Sequence, residues 1–235
     1  MVLVNKVAKL LDKLLDTVIV IVCILLLLIG TYSMLDNLWL YQNATDRSVL
    51  RYKPATGEVL TPEKIISGNQ VAWITIDDTS IDYPVMQGED NFEFLNKDPY
   101  GNFSLSGSIF LDYRNKPDLS DPYCLVYGHH MSHGAMFGAL DDFQSRAFFD
   151  AHRDGIVTTS SASYPLRIFA VSSADATDST VFNPTGHTGT EIIAFLKENA
   201  QIYVEPEAGK RVLALSTCSG DTSIKRLIVF ATIQD

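Results

Sequence analysis

A cysteine and an arginine stand close together near the end of the sequence, each beside an apolar run. Cys218 closes the run at residues 213–217, and Arg226 lies eight positions later, near the start of a second run at residues 224–233. The residues between them, 219–221, are Ser, Gly and Asp, which are typical of a tight turn. The pattern predicts a hairpin that brings the thiol and the guanidinium onto neighbouring strands, with the thiol at the rim of a sheet.

A histidine pair could accept and return the proton of a reactive thiol. A cysteine attacks as its thiolate, so a neighbouring group must take up and return a proton. His129 and His130 follow Gly128 and the apolar run at residues 125–127, where a strand gives way to a polar loop. Alternation along a strand sends the two imidazoles to opposite faces, so only one of them can meet Cys218.

These three side-chain types suit acyl transfer through a thioacyl intermediate. Cys218 would attack a peptide carbonyl, and the imidazole would protonate the leaving amine and later deprotonate the group that resolves the intermediate. The residues do not decide whether that group is an amine or water. Arg226 is permanently charged and planar, so it can hold the carbonyl and stabilise the developing oxyanion. A papain-like hydrolase also uses Cys and His, but there the cysteine comes first and an Asn assists, whereas here the order is reversed and the third group is Arg.

Metal ligation is the competing interpretation of the histidines. His129 and His133 are four positions apart, a spacing that suits zinc on a helix, but Gly128 and the strand-like run before it argue against a helix, and no Glu lies between the two. We therefore expect no metal and no cofactor. The other cysteines do not predict a disulfide framework, because Cys23 lies in an N-terminal apolar run and Cys124 is expected to fill the core.

The N-terminal part of the chain reads as a membrane anchor. Residues 17–35 give about nineteen positions without a charge, enough to cross a bilayer as a helix. Lys6, Lys9 and Lys13 precede this run, and basic residues mark the cytoplasmic side. A cleaved signal peptide is the alternative, but no Ala-x-Ala site follows the run. We expect a cytoplasmic N-terminus at 1–16, the anchor at 17–35, an extracellular tether with a short helix at 36–68, and one catalytic domain at 69–235.

Length and charge limit the remaining possibilities. The chain has 235 residues and a formal net charge of -10, which argues against a nucleic-acid partner. The length allows one sizeable core outside the anchor, so one folded domain is expected there.

Short apolar stretches between turn residues recur along this domain. They predict strands at 71–76, 81–86, 107–111, 123–127, 156–159 and 166–172, in addition to the two beside Cys218. Pro84 predicts an edge or a bulge in the second strand. Many short strands argue for a mostly β, closed barrel, preceded by the N-terminal transmembrane helix.

Several short helices are predicted between the strands. Thr61 and Asp90 would cap helices at 61–66 and 90–96, and an aromatic stripe predicts a helix over the barrel at 136–148. A helix at 191–199 is also predicted, where Thr188 and Glu191 fit a capping box.

With these segments in view, the sequence resembles the sortases of Gram-positive bacteria, and within them class B. The resemblance is carried by three segments: Leu215-Ser216-Thr217-Cys218 with Arg226 after it, Tyr127-Gly128-His129-His130-Met131 with the following Met136-Phe137-Gly138-Ala139-Leu140, and Asp90-Asn91-Phe92-Glu93-Phe94-Leu95. They occur in consistent order from about residue 71 to the C-terminus. The resemblance implies a sortase-type β-barrel.

The resemblance also implies roles for individual residues. It makes Cys218 the nucleophile and Arg226 the oxyanion partner, and it favours His129 over His130, since the family's catalytic His directly follows a Gly. Substrate binding is assigned to Asn91, Leu95, Ser216 and Thr217.

The implied function is that of a membrane-anchored cysteine transpeptidase. Its partners would be secreted proteins with a C-terminal sorting signal of the Asn-Pro-x-Thr type, and a peptidoglycan amine that accepts them; a pilin amine is the alternative acceptor. Pilin polymerisation, a peptidase that mainly hydrolyses, and a membrane-tethered binding module with an inert cysteine remain open as alternatives.

Overall fold

The structure, a computed structural model, describes residues 2–44, 47–218 and 225–234, with the backbone alone at residues 2–4, 39, 43 and 218. The chain folds as two compact units, Met1–Gln42 and Asn43–Asp235.

The first unit consists of one helix, α1 (Val2–Ala44). Its stretch Asn5–Gln42 is long and apolar enough to cross a membrane by length and composition, a test that a signal sequence also passes. The hydroxyls of Thr17 and Thr31 each donate to a carbonyl four residues earlier, at 2.8 Å, so both are satisfied within the helix. Because α1 continues past residue 35, the predicted tether begins as a helix.

The described part of the second unit contains nine strands in one sheet. They are β1 (Gln70–Ile76), β2 (Asp82–Met86), β3 (Ile109–Leu111), β4 (Tyr123–His129), β5 (Asp154–Thr159), β6 (Ser163–Asp175), β7 (Ile202–Tyr203), β8 (Arg211–Cys218) and β9 (Lys225–Ile233). Their order is β5-β1-β2-β3-β4-β8-β9-β6-β7, and β5 also pairs with β6. This last pairing closes eight strands into a barrel, as the sequence predicted, and β7 adds to the outside of β6.

The strands that carry the site are buried on both faces. In β4, Cys124 and Val126 belong to one apolar cluster, while Leu125 and Tyr127 belong to a second. Strands β8 and β9 alternate between the same two clusters. A strand buried on both faces has a continuous apolar run, which is why these strands were clear in the sequence.

Pro84 does not lie on an edge strand, so the edge alternative of that expectation was wrong. Strand β2 pairs antiparallel with β1 and parallel with β3, which makes it an inner strand. The pairing with β3 begins only at Val85, opposite Ile109, so the proline comes just before it. The β1–β2 pair does contain a register shift, between Gln70 and Ala72 opposite Met86 and Val85, directly after the proline, which agrees with the bulge alternative.

The described part of the second unit also contains two α-helices and five 3₁₀ segments, two of which come before β1. The α-helices are α2 (Arg146–Ala151) and α3 (Gly189–Asn199), and the 3₁₀ segments are Ser48–Tyr52, Pro62–Lys64, Glu93–Leu95, Ser132–Gly134 and Phe137–Gln144. Helix α3 begins with the predicted capping box, in which Thr188 and Glu191 bond to each other's backbone N–H. The aromatic stripe at 136–148 does cover the barrel, as a 3₁₀ segment followed by α2.

The helices predicted at 61–66 and 90–96 are each reduced to one 3₁₀ turn. The N–H of Ile66 donates to the Gln70 side chain at 2.8 Å and so does not bond to the Pro62 carbonyl, as an α-helix requires. At the other turn, the Phe94 carbonyl accepts from Ser108 N–H at 3.0 Å. In the first place a side chain four residues later takes the N–H, and in the second a bond from Ser108 takes the carbonyl that would have extended the helix.

Candidate active site

The two halves of the predicted site meet at the ends of β4 and β8. These strands are parallel, and the ladder keeps its register from Tyr123 opposite Val212 to its last pair, His129 opposite Cys218. Two residues that are far apart in the sequence are therefore direct neighbours across the sheet. The position of the Cys218 sulfur lies outside the described atoms.

Strand β9 brings Arg226 to the same end of the sheet. It runs antiparallel to β8, with Ser216 opposite Ile228. The guanidinium carbon of the half-buried Arg226 lies 5.6 Å from the centroid of the Phe182 ring, within the range of a cation–π contact. The two strands predicted around residues 219–221 are confirmed, whereas that turn lies outside the described residues.

Strand alternation assigns the three predicted catalytic positions to one face of the sheet. The second apolar cluster, which includes residues of α3, takes one residue from each strand near the site: Tyr127, Ala214 and Ile228. Residues two positions apart on a strand lie on the same face, so the predicted catalytic positions His129, 218 and Arg226 fall on the face of this second cluster. All three therefore share a face as well as an end of the barrel.

His129 and His130 contact different parts of the protein. The imidazole Nε2 of His129 lies 2.8 Å from the Leu95 carbonyl, while Nε2 of His130 lies 2.7 Å from the Asp141 carboxylate. His130 also forms an isolated bridge with Met136. The neighbour across from Cys218 is His129, and this geometry favours it as the acid/base.

The packing around Gly128 explains why a glycine precedes His129. A Cβ at this position would lie 2.4 Å from the Ile109 side chain and 2.8 Å from the Phe137 ring. The close packing leaves room only for a hydrogen, so the strand can carry His129 to the rim while the 3₁₀ segment at Phe137–Gln144 presses against it.

A groove of about 260 Å³ lies beside these strand ends. It is lined by Asn91, Phe92, Leu95, Phe110, Tyr127, Ala176, Phe182 and Arg226. Two of the four predicted substrate residues, Asn91 and Leu95, are among them. The groove thus joins apolar and aromatic walls to the guanidinium of Arg226.

The other two predicted substrate residues, Ser216 and Thr217, have buried side chains, 0 % and 3 % exposed. The Thr217 hydroxyl donates to the Leu227 carbonyl at 3.3 Å and accepts from Leu227 N–H at 3.1 Å. It ties β8 to β9 directly beside Arg226. Their side chains do not line the groove, so any contact with a substrate would come from the backbone.

A buried carboxylate beneath the groove was missed in the sequence. Asp112, 0 % exposed, accepts hydrogen bonds from Asn91 at 2.9 Å, from Tyr127 at 3.1 Å and from Arg114 at 2.8 Å. Arg114 also donates to the Phe182 carbonyl at 2.8 Å. The network therefore holds three wall residues of the groove. The available signal was a carboxylate directly after an apolar strand with an arginine two positions later.

The charges in this network stabilise one another. Burial alone would raise the pKa of Asp112, but the hydrogen bonds from Arg114 and Asn91, with the charge of Arg114, lower it below its ordinary value. The hydrogen bond to Asp112 raises the pKa of Arg114. Burial and the Asp112 charge raise the pKa of Tyr127, which stays a neutral donor. The Asp112 carboxylate and the Arg114 guanidinium are therefore both ionised at neutral pH.

Cys124 is a core residue, as the sequence predicted. It is fully buried, and burial raises the pKa of its thiol to about 12. Such a thiol is inert as a nucleophile at neutral pH.

The described residues contain no group of three or more His, Cys, Asp or Glu side chains that could hold a metal ion.

The comparison with known proteins agrees with this geometry. A family model described as the sortase domain matches residues 74–234. Sortase B of Listeria monocytogenes is 31% identical over 166 residues, which cover 68% of this chain and 67% of that protein.

Solved structures give the same result. A Streptococcus pyogenes class B sortase involved in pilus biogenesis is 40% identical, with a TM-score of 0.66 over 72% of this chain and 94% of that one. The Staphylococcus aureus sortase B–substrate complex is 28% identical, with a TM-score of 0.66 over 72% of this chain and 81% of that one. This chain belongs to the sortase family of cysteine transpeptidases, and within it to class B.

Proposed function

We propose that this chain is a membrane-anchored sortase that cleaves a C-terminal sorting signal of the Asn-Pro-x-Thr type from secreted proteins and joins them to an amine of the cell wall. The observation that carries the proposal is the pairing of His129 with Cys218 at the ends of β4 and β8, beside a groove lined by Arg226.

The reaction uses the three side chains in turn. The Cys218 thiolate attacks the carbonyl of the scissile peptide bond, and the C–N bond breaks as His129 gives a proton to the leaving amine. The thioacyl intermediate is then attacked by an incoming amine, which returns a proton to His129 as the C–S electron pair goes back to the sulfur. Arg226 stabilises the oxyanion in both halves.

The sorting peptide occupies the groove in extended form. Asn91 and Leu95 contact its side chains, and Ser216 and Thr217 contribute through their backbone, since their side chains are buried. The apolar and aromatic lining suits a peptide segment without charge, and the half-buried guanidinium suits its carbonyl.

Helix α1 anchors the enzyme in the membrane. Its length and composition support this role, and Lys6, Lys9 and Lys13 before the uncharged stretch favour a cytoplasmic N-terminus. The catalytic unit then lies outside the cell, where secreted substrates and peptidoglycan are found.

Pilin polymerisation is the second candidate. It is favoured by the 40% identity to the Streptococcus pyogenes enzyme, which is involved in pilus biogenesis, against 28% for the Staphylococcus aureus enzyme. The chemistry is the same, and the acceptor would be an amine on a pilin.

A peptide panel tests the proposal. Sorting-type peptides are incubated with the enzyme and either a peptidoglycan-like amine or a lysine-containing pilin peptide, and the amide and acid products are measured. We expect cleavage with amide formed from the wall amine; preference for the pilin amine would select the second candidate, and acid alone would select hydrolysis.

Matched variants test which residues are catalytic. Cys218→Ala and His129→Gln should each lower the rate by several orders of magnitude, whereas His130→Gln should retain most of it. Full activity in His129→Gln with loss in His130→Gln would reverse the assignment. Failure to cleave every sorting-type peptide would reject the function.

A further inference from the structure

We infer that the backbone carbonyl of Leu95 is the group that orients the catalytic imidazole, and that Gly107 is glycine so that this carbonyl can stay in place. The inference rests on the proposed role of His129 in acyl transfer. Cys–His enzymes commonly use a side chain to orient the imidazole, and here a main-chain atom does so.

The hydrogen bond fixes the tautomer of His129. Its Nε2 lies 2.8 Å from the Leu95 carbonyl oxygen, and a carbonyl can only accept. Nε2 therefore carries the proton in the neutral imidazole, and Nδ1 is the nitrogen that exchanges protons with the substrate. The same bond persists when both nitrogens are protonated, so the ring keeps its orientation through the cycle.

Proton transfer balances in this arrangement. Nδ1–H of the imidazolium passes to the departing amine nitrogen as the C–N bond breaks, leaving the neutral ring with Nε2–H still on the Leu95 carbonyl. The incoming amine later gives its proton to Nδ1 as the new C–N bond forms and the sulfur of Cys218 leaves with the C–S electron pair.

The carbonyl is held by the segment that leads into β3. Ser108 N–H donates to the Phe94 carbonyl at 3.0 Å, and the Ser108 hydroxyl donates to the Lys97 carbonyl at 2.7 Å. The Leu95 N–H donates to the Phe92 carbonyl at 3.2 Å. These bonds fix the peptide on either side of the Leu95 carbonyl.

Gly107 lies directly against this carbonyl. Its φ is +60°, and a Cβ there would lie 2.4 Å from the Leu95 oxygen and 2.7 Å from the Phe94 oxygen. Both distances are to backbone atoms, so a side chain could fit only if the carbonyl that holds His129 moved. Leu95 and Gly107 are therefore positioning residues for the catalytic histidine.

Gly101 provides a matched control in the same loop. Its φ is +88°, so an alanine there meets the same left-handed backbone cost, but nothing lies within 4 Å of its Cβ position. Only the Gly107 substitution pushes on the Leu95 carbonyl.

The test uses the full chain in detergent, labelled with ¹⁵N in the histidine rings and recorded without substrate at about pH 8.5, where an imidazole is neutral. His129→Gln identifies the resonances. We expect an Nε2–H signature for His129 in the wild type and in Gly101→Ala, and a shift towards Nδ1–H in Gly107→Ala. In peptide cleavage, kcat should fall at least tenfold in Gly107→Ala and stay within twofold in Gly101→Ala.

Several results would overturn the inference. A folded Gly107→Ala chain that keeps both the Nε2–H signature and kcat would do so, as would an equal loss in Gly101→Ala. If Gly107→Ala does not fold, an ester in place of the peptide bond between Leu95 and Asn96 weakens the same acceptor without adding a side chain. An unchanged signature and kcat in that ester would reject the role of the carbonyl.

The spectrum is independent of turnover. If the wild type cleaves no sorting-type peptide, the proposed function fails, while the tautomer of His129 still decides whether the Leu95 carbonyl orients the ring.

Discussion

Arg226 presents its charge to the groove from a half-buried position over Phe182. We predict that Arg226→Lys lowers kcat/KM for peptide cleavage about 100-fold, because lysine keeps the charge but loses the planar pair of donors. Steady-state kinetics measures the effect. Arg167→Lys on the exposed surface is the control and should leave the rate unchanged. An active Arg226→Lys enzyme would show that a point charge is sufficient.

Asp112 is the second residue with a testable role, because its pair with Arg114 should stabilise both the fold and the wall of the groove. We predict that Asp112→Asn lowers the free energy of unfolding by about 3 kcal/mol at pH 7, because it leaves the Arg114 guanidinium with a neutral partner in a largely buried site. Cleavage should also fall, since Arg114 holds the Phe182 carbonyl. Urea unfolding and peptide kinetics measure the two effects. Asp150→Asn, which removes an exposed pair with Arg146, should change stability little.

The pH dependence of this effect has a definite sign. The pKa of Asp112 is lower in the folded chain than its ordinary value, so its contribution is fully present above the unfolded pKa, near 4, and is lost as the pH falls through the folded pKa. The stability difference between wild type and Asp112→Asn should therefore shrink below about pH 4. A difference that is constant from about pH 7 to about pH 3 would mean that the carboxylate is not stabilised by Arg114.

At the scale of elements, the sequence predicted the strands and the pairing of β8 with β9, but not the pairing of strands that are far apart in the chain. Strands β4, β8 and β9 are buried on both faces, so each shows a continuous apolar run. The parallel register that puts His129 opposite Cys218 has no local signal, because it depends on chain segments far apart in sequence; the family resemblance implied that meeting. The Leu95 carbonyl has no signal at all, since every residue has a carbonyl.

Packing between β4 and the 3₁₀ segment at Phe137–Gln144 gives the prediction at this scale. Gly128→Ala would place a Cβ 2.4 Å from Ile109 and 2.8 Å from the Phe137 ring. We expect a loss of about 2 kcal/mol in stability from overpacking, together with reduced cleavage, because the shift is transmitted to His129. Thermal unfolding and kinetics check this.

Gly68→Ala is the matched control, since nothing lies within 4 Å of its Cβ position. Its stability should stay close to that of the wild type. If Gly128→Ala is equally stable and active, the glycine before the histidine is not required by packing.

At the scale of the whole molecule, barrel closure links the site to the opposite wall of the sheet. Strand β5 pairs with β1 on one side and with β6 on the other, so the eight strands share one ring of hydrogen bonds. The first apolar cluster, which contains Cys124 and Val126, takes residues from both walls, among them Ile74 on β1 and Leu215 on β8. A barrel joined in this way is expected to unfold as one unit.

This cooperativity can be tested on the fragment 43–235, which corresponds to the second compact unit. The fragment retains a single tryptophan, Trp73 on β1, which is 2 % exposed, while the site lies on β4, β8 and β9. We predict that Trp73 fluorescence, far-UV circular dichroism and peptide cleavage are lost at the same urea concentration, because closure couples the two walls. A fragment whose activity disappears well before its fluorescence changes would show instead that the catalytic end opens independently, and that the ring of strands does not transmit stability to the site.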